Sequence, residues 1–400
     1  MKQKLLHLFM VGYGVLFCFL SFACKKSPVV TLTVWGPQEE QAVLEKLVET
    51  FKSEHSGKEF DITLEICGEN DAKQKVLENA TNAADVFGFA NDQLKDLVEA
   101  GVLHEINRAS DLRYLRDTIS QLAMDSATLN GKVYGYPETA DNGYFLYYDS
   151  SILSADDVTD LDTMISVALA RGKKIFMDVS NGWYIASFFL GNNGTLSIAK
   201  DGTAICDFNN ESGLLAAQGI QAFINSGAFI TGDDSVMQEG IARREIIAAV
   251  SGTWNAEIVK ASLGQAYAAT KLPQFTLGNG QKKQMASFGG TKILGINANS
   301  PFLAEACDLA LWLINEQNQI KRFEIRGIGP SNVIASRSEA VRKNIALSAL
   351  AYQSQFAYSQ KNVPGSYWTP AEEFGELLES GEVENLQDAL DEMVRKIVGE

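Results

Sequence analysis

Val29-Val30-Thr31-Leu32-Thr33-Val34-Trp35 alternates apolar and polar positions as a strand does, and the period then changes, placing Leu44, Leu47, Val48 and Phe51 on one helical face that Gly57 closes. A strand feeding a helix begins a βα unit. The unit recurs: residues 60–66 read as a strand, 71–79 as a helix and 85–89 as a strand. Asp92 then reads as the cap of a helix burying Leu94, Leu97 and Val98 before Gly101. Strands alternating with helices predict an α/β fold.

Working outward, two short β-rich runs, 133–136 and 144–148, flank a loop from Pro137 to Gly143 that reads as a crossing between two lobes. A second alternating block follows, with helices at 159–170, after Trp183 and at 212–226, strands at 174–179 and 246–250, and a helix opened by Thr253. Residues 287–296 are β-rich again. Ser300 and Pro301 start a long helix showing Leu303, Ala306, Cys307, Ala310 and Leu311 on one face. Past Pro330, residues 336–361 and 371–399 read as helical, with the acidic run 372–384 as a solvated face.

The chain has 400 residues, 46% hydrophobic and 21% charged, which suits a folded protein of two or three domains. Its 34 Lys plus Arg against 50 Asp plus Glu give a net charge of -16, which would repel a polyanion, so nucleic acid is excluded as a partner. At the N-terminus Lys2 and Lys4 precede an apolar stretch and then Ser21, Phe22, Ala23 and Cys24, the layout of an export signal over residues 1–23. A retained membrane anchor is the alternative reading. Downstream, Cys67, Cys206 and Cys307 lie far apart without a CxxC pair; they read as buried thiols, one disulfide among them remaining open.

Nucleophile elbows, phosphate loops, dinucleotide fingerprints and metal-binding helices are missing from the sequence, so neither cofactor nor metal is expected. A carboxylate pair of the glycosidase kind is defined in space rather than in sequence and stays open as a minor alternative. What stands out is a set of polar and aromatic residues at helix starts and lobe crossings: Gln38, Glu39, Phe89, Asp92, Asp141, Trp183, Tyr184, Trp254, Tyr367 and Trp368. Loops at the carboxyl ends of strands are where open α/β sheets hold ligands. Aromatic rings cover the apolar face of a pyranose and carboxylates accept from its hydroxyls, so the combination fits a neutral sugar. Trp35 and Trp312 fall inside an apolar strand and helix and are assigned to the core.

Four segments in order, Val34-Trp35-Gly36-Pro37-Gln38-Glu39-Glu40-Gln41, Ala84 to Asp92, Asn130 to Pro137 and Ser251-Gly252-Thr253-Trp254, resemble the maltose and maltodextrin-binding proteins of bacterial ABC importers. That resemblance implies a two-lobed periplasmic-binding-protein fold of type II, with residues 29–140 and 290–340 in one lobe and 141–289 and 341–400 in the other. It implies capture of malto-oligosaccharide by hinge closure, without catalysis, by a monomer that delivers to the importer's membrane subunits. Carried over singly, Phe89 stands at a stacking position, Asp92 and Asp141 at ligand carboxylates, and Tyr184, Trp254 and Trp368 at aromatic platforms. Gln93 and Gly182 depart from the family's arginine and glutamate and leave the preferred sugar open, though not the class; the alternative is another solute on the same fold, a polyamine, which the acidic chain would suit, or a peptide. The residues around Cys24 resemble a lipobox, with Leu20 one place too far upstream and Phe22 bulkier than usual; the implied product is a lipoprotein on the extracytoplasmic face of the membrane.

Overall fold

Val30, Leu32 and Val34 are buried while Thr31 faces out, so Val30–Gly36 forms as the alternation predicts. The computed structural model describes residues 29–199 and 201–399; the export signal and Cys24 lie outside them. Val30–Gly36 is an interior strand of a five-stranded sheet, parallel to the edge strand Phe60–Ile66 on one side and to the central strand Val86–Ala90 on the other. The sheet is completed from far along the chain: Lys292–Ile296 runs antiparallel beside Val86–Ala90, and Tyr136–Pro137 pairs with its outer edge. The helix Gln41–Glu54 packs Val43, Leu44, Leu47, Val48 and Phe51 onto this sheet, where Phe51 meets Trp312 of the helix Leu303–Leu313 at 6.1 Å.

A second, seven-stranded sheet has its own core. Asn142–Asp149 lies in its middle, paired with Ile246–Gly252, Tyr267–Thr270 and Ser287–Gly290; Lys174–Phe176, Phe229–Ile230 and Ala357–Ser359 extend it. The helices Gly182–Gly191, Glu211–Ile224, Trp368–Ser380 and Leu386–Val398 cover one face, burying Phe188, Phe189, Phe223 and Phe374. The molecule is therefore two α/β lobes. Three chain crossings join them side by side: Glu138 N donates to Lys292 O at 2.8 Å, Ala140 N donates to Gly329 O at 3.1 Å, and Thr139 bridges Pro330.

Two sequence expectations fail. Asp92 caps nothing: a tight turn over Asn91–Gln93 precedes the helix Leu94–Glu99, and the Asp92 side chain is used elsewhere. Residues 336–361 are not one helix. Asn344 caps a new helix, Ile345–Gln353, with its side-chain oxygen on Leu347 N, and Ala357–Ser359 is drawn into the second sheet by parallel pairing with Ser287–Gly289, so tertiary pairing outweighs the local helical preference.

Candidate functional site

Turns at the carboxyl ends of the first sheet face the second lobe, and their residues meet there. Asn91–Gln93 follows Val86–Ala90, and it presents the half-buried Asp92 toward a turn of the second lobe, Gln360–Asn362. Gln360 Nε2 donates to Asp92 Oδ1 at 2.8 Å. Its Oε1 accepts from Trp183 Nε1 at 3.2 Å and from Asn142 Nδ2 at 3.3 Å. One carboxamide thus ties a first-lobe carboxylate to a second-lobe indole. Burial pushes the Asp92 carboxyl up to about 6, against the opposing pull of its backbone hydrogen bond, Lys73 and Gln360.

Trp183 begins the helix Gly182–Gly191, whose cap is Asn181 with its Oδ1 on Trp183 N at 2.9 Å. Its ring lies 5.7 Å from Trp254 with a 37° tilt, and 4.7 Å from Tyr144 edge-on. Trp254 follows the strand Ile246–Gly252, half-buried, with its Nε1 donating to Asp234 Oδ2 at 3.1 Å. The indole folds back so closely over Gly252 that a Cβ there would sit 1.8 Å from it; only glycine allows the ring this position. Trp183 and Trp254 therefore form a partly open aromatic face beside Asp92. Tyr184 backs it, 5.4 Å from Trp183 and 8% exposed, and the half-buried Trp368 packs on Phe288 at 5.9 Å.

Other expected residues are placed differently. Phe89 is fully buried in the first core, 6.0 Å from Phe87, because every position of Val86–Ala90 is covered; it offers no stacking surface. Tyr367 is likewise enclosed, its hydroxyl donating to Gly182 O at 2.8 Å, and it supports the helix carrying Trp183 from below. Asp141 belongs to the crossings: its Oδ2 accepts from Thr253 Oγ1 at 2.8 Å and from Gly329 N at 2.6 Å, and burial raises its pKa. A Cβ on Gly329 would meet Asp141 Cβ at 2.7 Å, so a bare backbone is required for that approach. Gln38 and Glu39 are exposed on the turn after the first strand.

Sequence reading missed a charged floor under the same sheet ends. Arg322, 2% exposed, lies 2.5 Å from Glu138 and 3.1 Å from Glu40, and Glu40 also meets Arg326 at 3.2 Å. Lys292 pairs with Glu69 at 3.0 Å. Burial opposes the Lys292 charge, yet Glu69, Asp141 and Glu138 outweigh it and raise the pKa; Glu138 itself is raised by burial despite Arg322. Arg322 was detectable as a charge beside Phe323 on the inward side of its helix, whereas Gln360 had no sequence signal. Among the described residues no cluster could hold a metal ion, and no helix is long and apolar enough to cross a membrane. Cys67, Cys206 and Cys307 are separate buried thiols, and burial pushes Cys206 up to about 12.

The arrangement is an interlobe cleft with an aromatic face, a carboxylate and a hinge. Residues 46–349 match the model of the bacterial extracellular solute-binding protein family. The chain belongs to that family. This solute-binding protein is 28% identical over 399 residues to the galactooligosaccharide-binding protein of Bacillus subtilis (strain 168), across 95% of this chain and 91% of that one. A structure solved with acarbose has a TM-score of 0.86 at 27% identity, covering 93% of this chain and 99% of its own. The maltodextrin-binding protein of L. casei BL23, solved without ligand, has a TM-score of 0.79 at 22% identity, covering 93% of this chain and all 100% of its own, and at that identity it speaks for the two-lobed fold. The family places this solute-binding protein outside the cytoplasm.

Proposed function

We propose that the protein captures neutral oligosaccharides of the maltodextrin type, with galacto-oligosaccharides as the nearest variant, and delivers them to the membrane subunits of an ABC importer without altering them. The observation that carries this reading is the Asp92–Gln360–Trp183 bridge beside the Trp183–Trp254 face. It puts a hydrogen-bond acceptor from one lobe next to aromatic rings of the other, and a pyranose needs both. The named sugars of the relatives support the same class. Sugar held between the lobes gains both sets of contacts only when they are closed, so it shifts a hinge equilibrium toward closure.

In this reading the ligand residues are Asp92, Trp183, Tyr184, Trp254 and Trp368, with Gln38 and Glu39 on the rim and Asp141 at the hinge. The lobes divide at residues 140/141, 289/290 and 340/341, and the protein works as a monomer anchored through lipidated Cys24. Calorimetric titration with maltotriose, maltotetraose, galacto-oligosaccharides and spermidine tests the class. Saturable binding of the sugars, with scattering that contracts on binding, is the expected result. Binding of spermidine alone would overturn it, and shorter sugars accumulating over long incubation would overturn the claim that the ligand is left intact.

A further inference from the structure

Beyond Asp92 the two lobes line a half-open pocket of about 380 Å³ that contains neither Trp183 nor Trp254 in its walls. Such a volume is within the range of small-molecule sites, roughly 300–1,000 Å³. Its first-lobe wall is Asp92, Lys95 and Asp96; its second-lobe wall includes Gly202, Thr203, Gly365 and Ser366. The two glycines face the two charges. A Cβ at Gly202 would stand 3.6 Å from Lys95 Nζ, and one at Gly365 would stand 3.7 Å from Asp96 Oδ2, so side chains there would narrow the space.

The polar groups are balanced in sign. Lys95 stands only loosely against Glu99 at 3.9 Å, which leaves ammonium donors for a ligand. Asp96 is matched by Lys73 at 3.0 Å, and Ser366 spends its hydroxyl proton on Ile397 O at 2.6 Å, so that oxygen can accept. A cation would meet Lys95 and an anion would meet Asp92 and Asp96. A neutral, hydroxyl-rich group meets donors and acceptors without an uncompensated charge.

Asp92 belongs to this cavity and to the aromatic side, and Gln360 stands between them, holding Asp92 Oδ1 with its amide and Trp183 with its oxygen. We propose that the cavity is an additional subsite for a sugar unit of a longer oligosaccharide, and that Gln360 is its gate. A ligand confined to the aromatic face leaves the Asp92–Gln360 hydrogen bond in place. A longer one replaces it with its own hydroxyls on Asp92 and extends to Lys95. Gln360 is thereby a chain-length determinant. This inference rests on the oligosaccharide reading above.

The test compares maltose with maltotetraose by calorimetry on wild type, Lys95→Ala and Gln360→Ala, with melting curves to show that each is folded. Lys95 is half-buried on a short helix and makes only the loose contact with Glu99, so Lys95→Ala should fold normally. It should weaken maltotetraose roughly tenfold, the worth of one hydrogen bond to a charged group, and change maltose less than twofold. Gln360→Ala should raise the ratio of maltotetraose to maltose affinity several-fold, even though both sugars lose whatever Gln360 contributed to closure. Equal effects of Lys95→Ala on both sugars, no effect on either, or an unchanged ratio in Gln360→Ala overturns the subsite while leaving the functional reading intact. Failure of wild type to bind either sugar, or any galacto-oligosaccharide, overturns the functional reading and this inference with it.

Discussion

Replacing Arg322 by methionine removes the cation that sits between Glu138 and Glu40 at 2.5 and 3.1 Å, at a position 2% exposed to solvent. Methionine fills most of the volume, so the perturbation is chiefly electrostatic. Breaking a buried ion pair from one side costs about 3–5 kcal/mol, because the remaining charge has lost its partner and cannot recover its water. For a unit of lobe size, a loss of that order lowers the melting midpoint by roughly 6–20 °C. The effect also has a pH signature. Burial already holds the Glu138 carboxyl above its usual range, with Arg322 as the main opposing influence, so without Arg322 its pKa rises further. Acid then protonates the stranded group and relieves the penalty. The stability deficit of Arg322→Met relative to wild type should therefore be largest near pH 8 and shrink toward pH 5, as read from urea unfolding at both values. Adding Glu138→Gln should restore part of the loss at pH 8, since the two sites are coupled. A variant as stable as wild type at pH 8, or a deficit that grows as pH falls, would refute the account of a desolvated floor.

Asp92→Asn should weaken sugar binding by roughly ten- to a hundredfold, the worth of hydrogen bonds to a charged acceptor. Because the wild-type carboxyl sits at about 6, above its ordinary value, it is ionised at pH 7 and protonates as pH falls; affinity should drop between pH 7 and 5 in wild type and stay flat in Asp92→Asn. The same upward shift means that the ionised form costs stability above pH 6, so the asparagine variant should unfold at higher denaturant concentration than wild type at pH 7. Trp254→Ala takes away half of the aromatic face at 5.7 Å from Trp183 and should weaken binding at least tenfold without loss of fold; unchanged affinity would mean that the ring serves only to cover Gly252. Cys24→Ser should move the protein from the membrane fraction to the soluble extracytoplasmic fraction, and a wild type found soluble there would dispose of the anchor.

The fold was largely legible because its signals are local. Val30–Gly36 alternates, Gln41–Glu54 shows its apolar stripe, and the pattern repeats, so two α/β blocks follow from periodicity. Trp35 and Trp312 were recognisable as packing residues from the apolar strand and helix around them. Phe89 went astray because a position in a family was given more weight than the chain around it. Val86–Ala90 has no alternation at all, and an unbroken apolar run is what a strand covered on both faces looks like. Gln360 could not be found by any such reasoning. It sits in a stretch whose alanines and leucines mimic a helix, and its partner Asp92 lies 268 residues away, so only the assembled lobes give it a role. Asp141 was singled out as a carboxylate for the ligand, whereas its Oδ2 is occupied by Thr253 and Gly329 at a crossing between the lobes; sequence does not tell which of the two such a group serves.

The first sheet takes its fourth strand from residues 292–296, about two hundred positions after the strand that it completes. This has a consequence in time. While the chain is being made, Val86–Ala90 remains an open edge until six of the seven strands of the second sheet have emerged, so the N-terminal lobe cannot finish first. Closing so long a loop before any reward slows folding, and long-range pairings of this kind are the slow ones. An unfinished sheet is a chain still able to be threaded through a membrane, and so late a completion suits a protein of a family that works outside the cytoplasm.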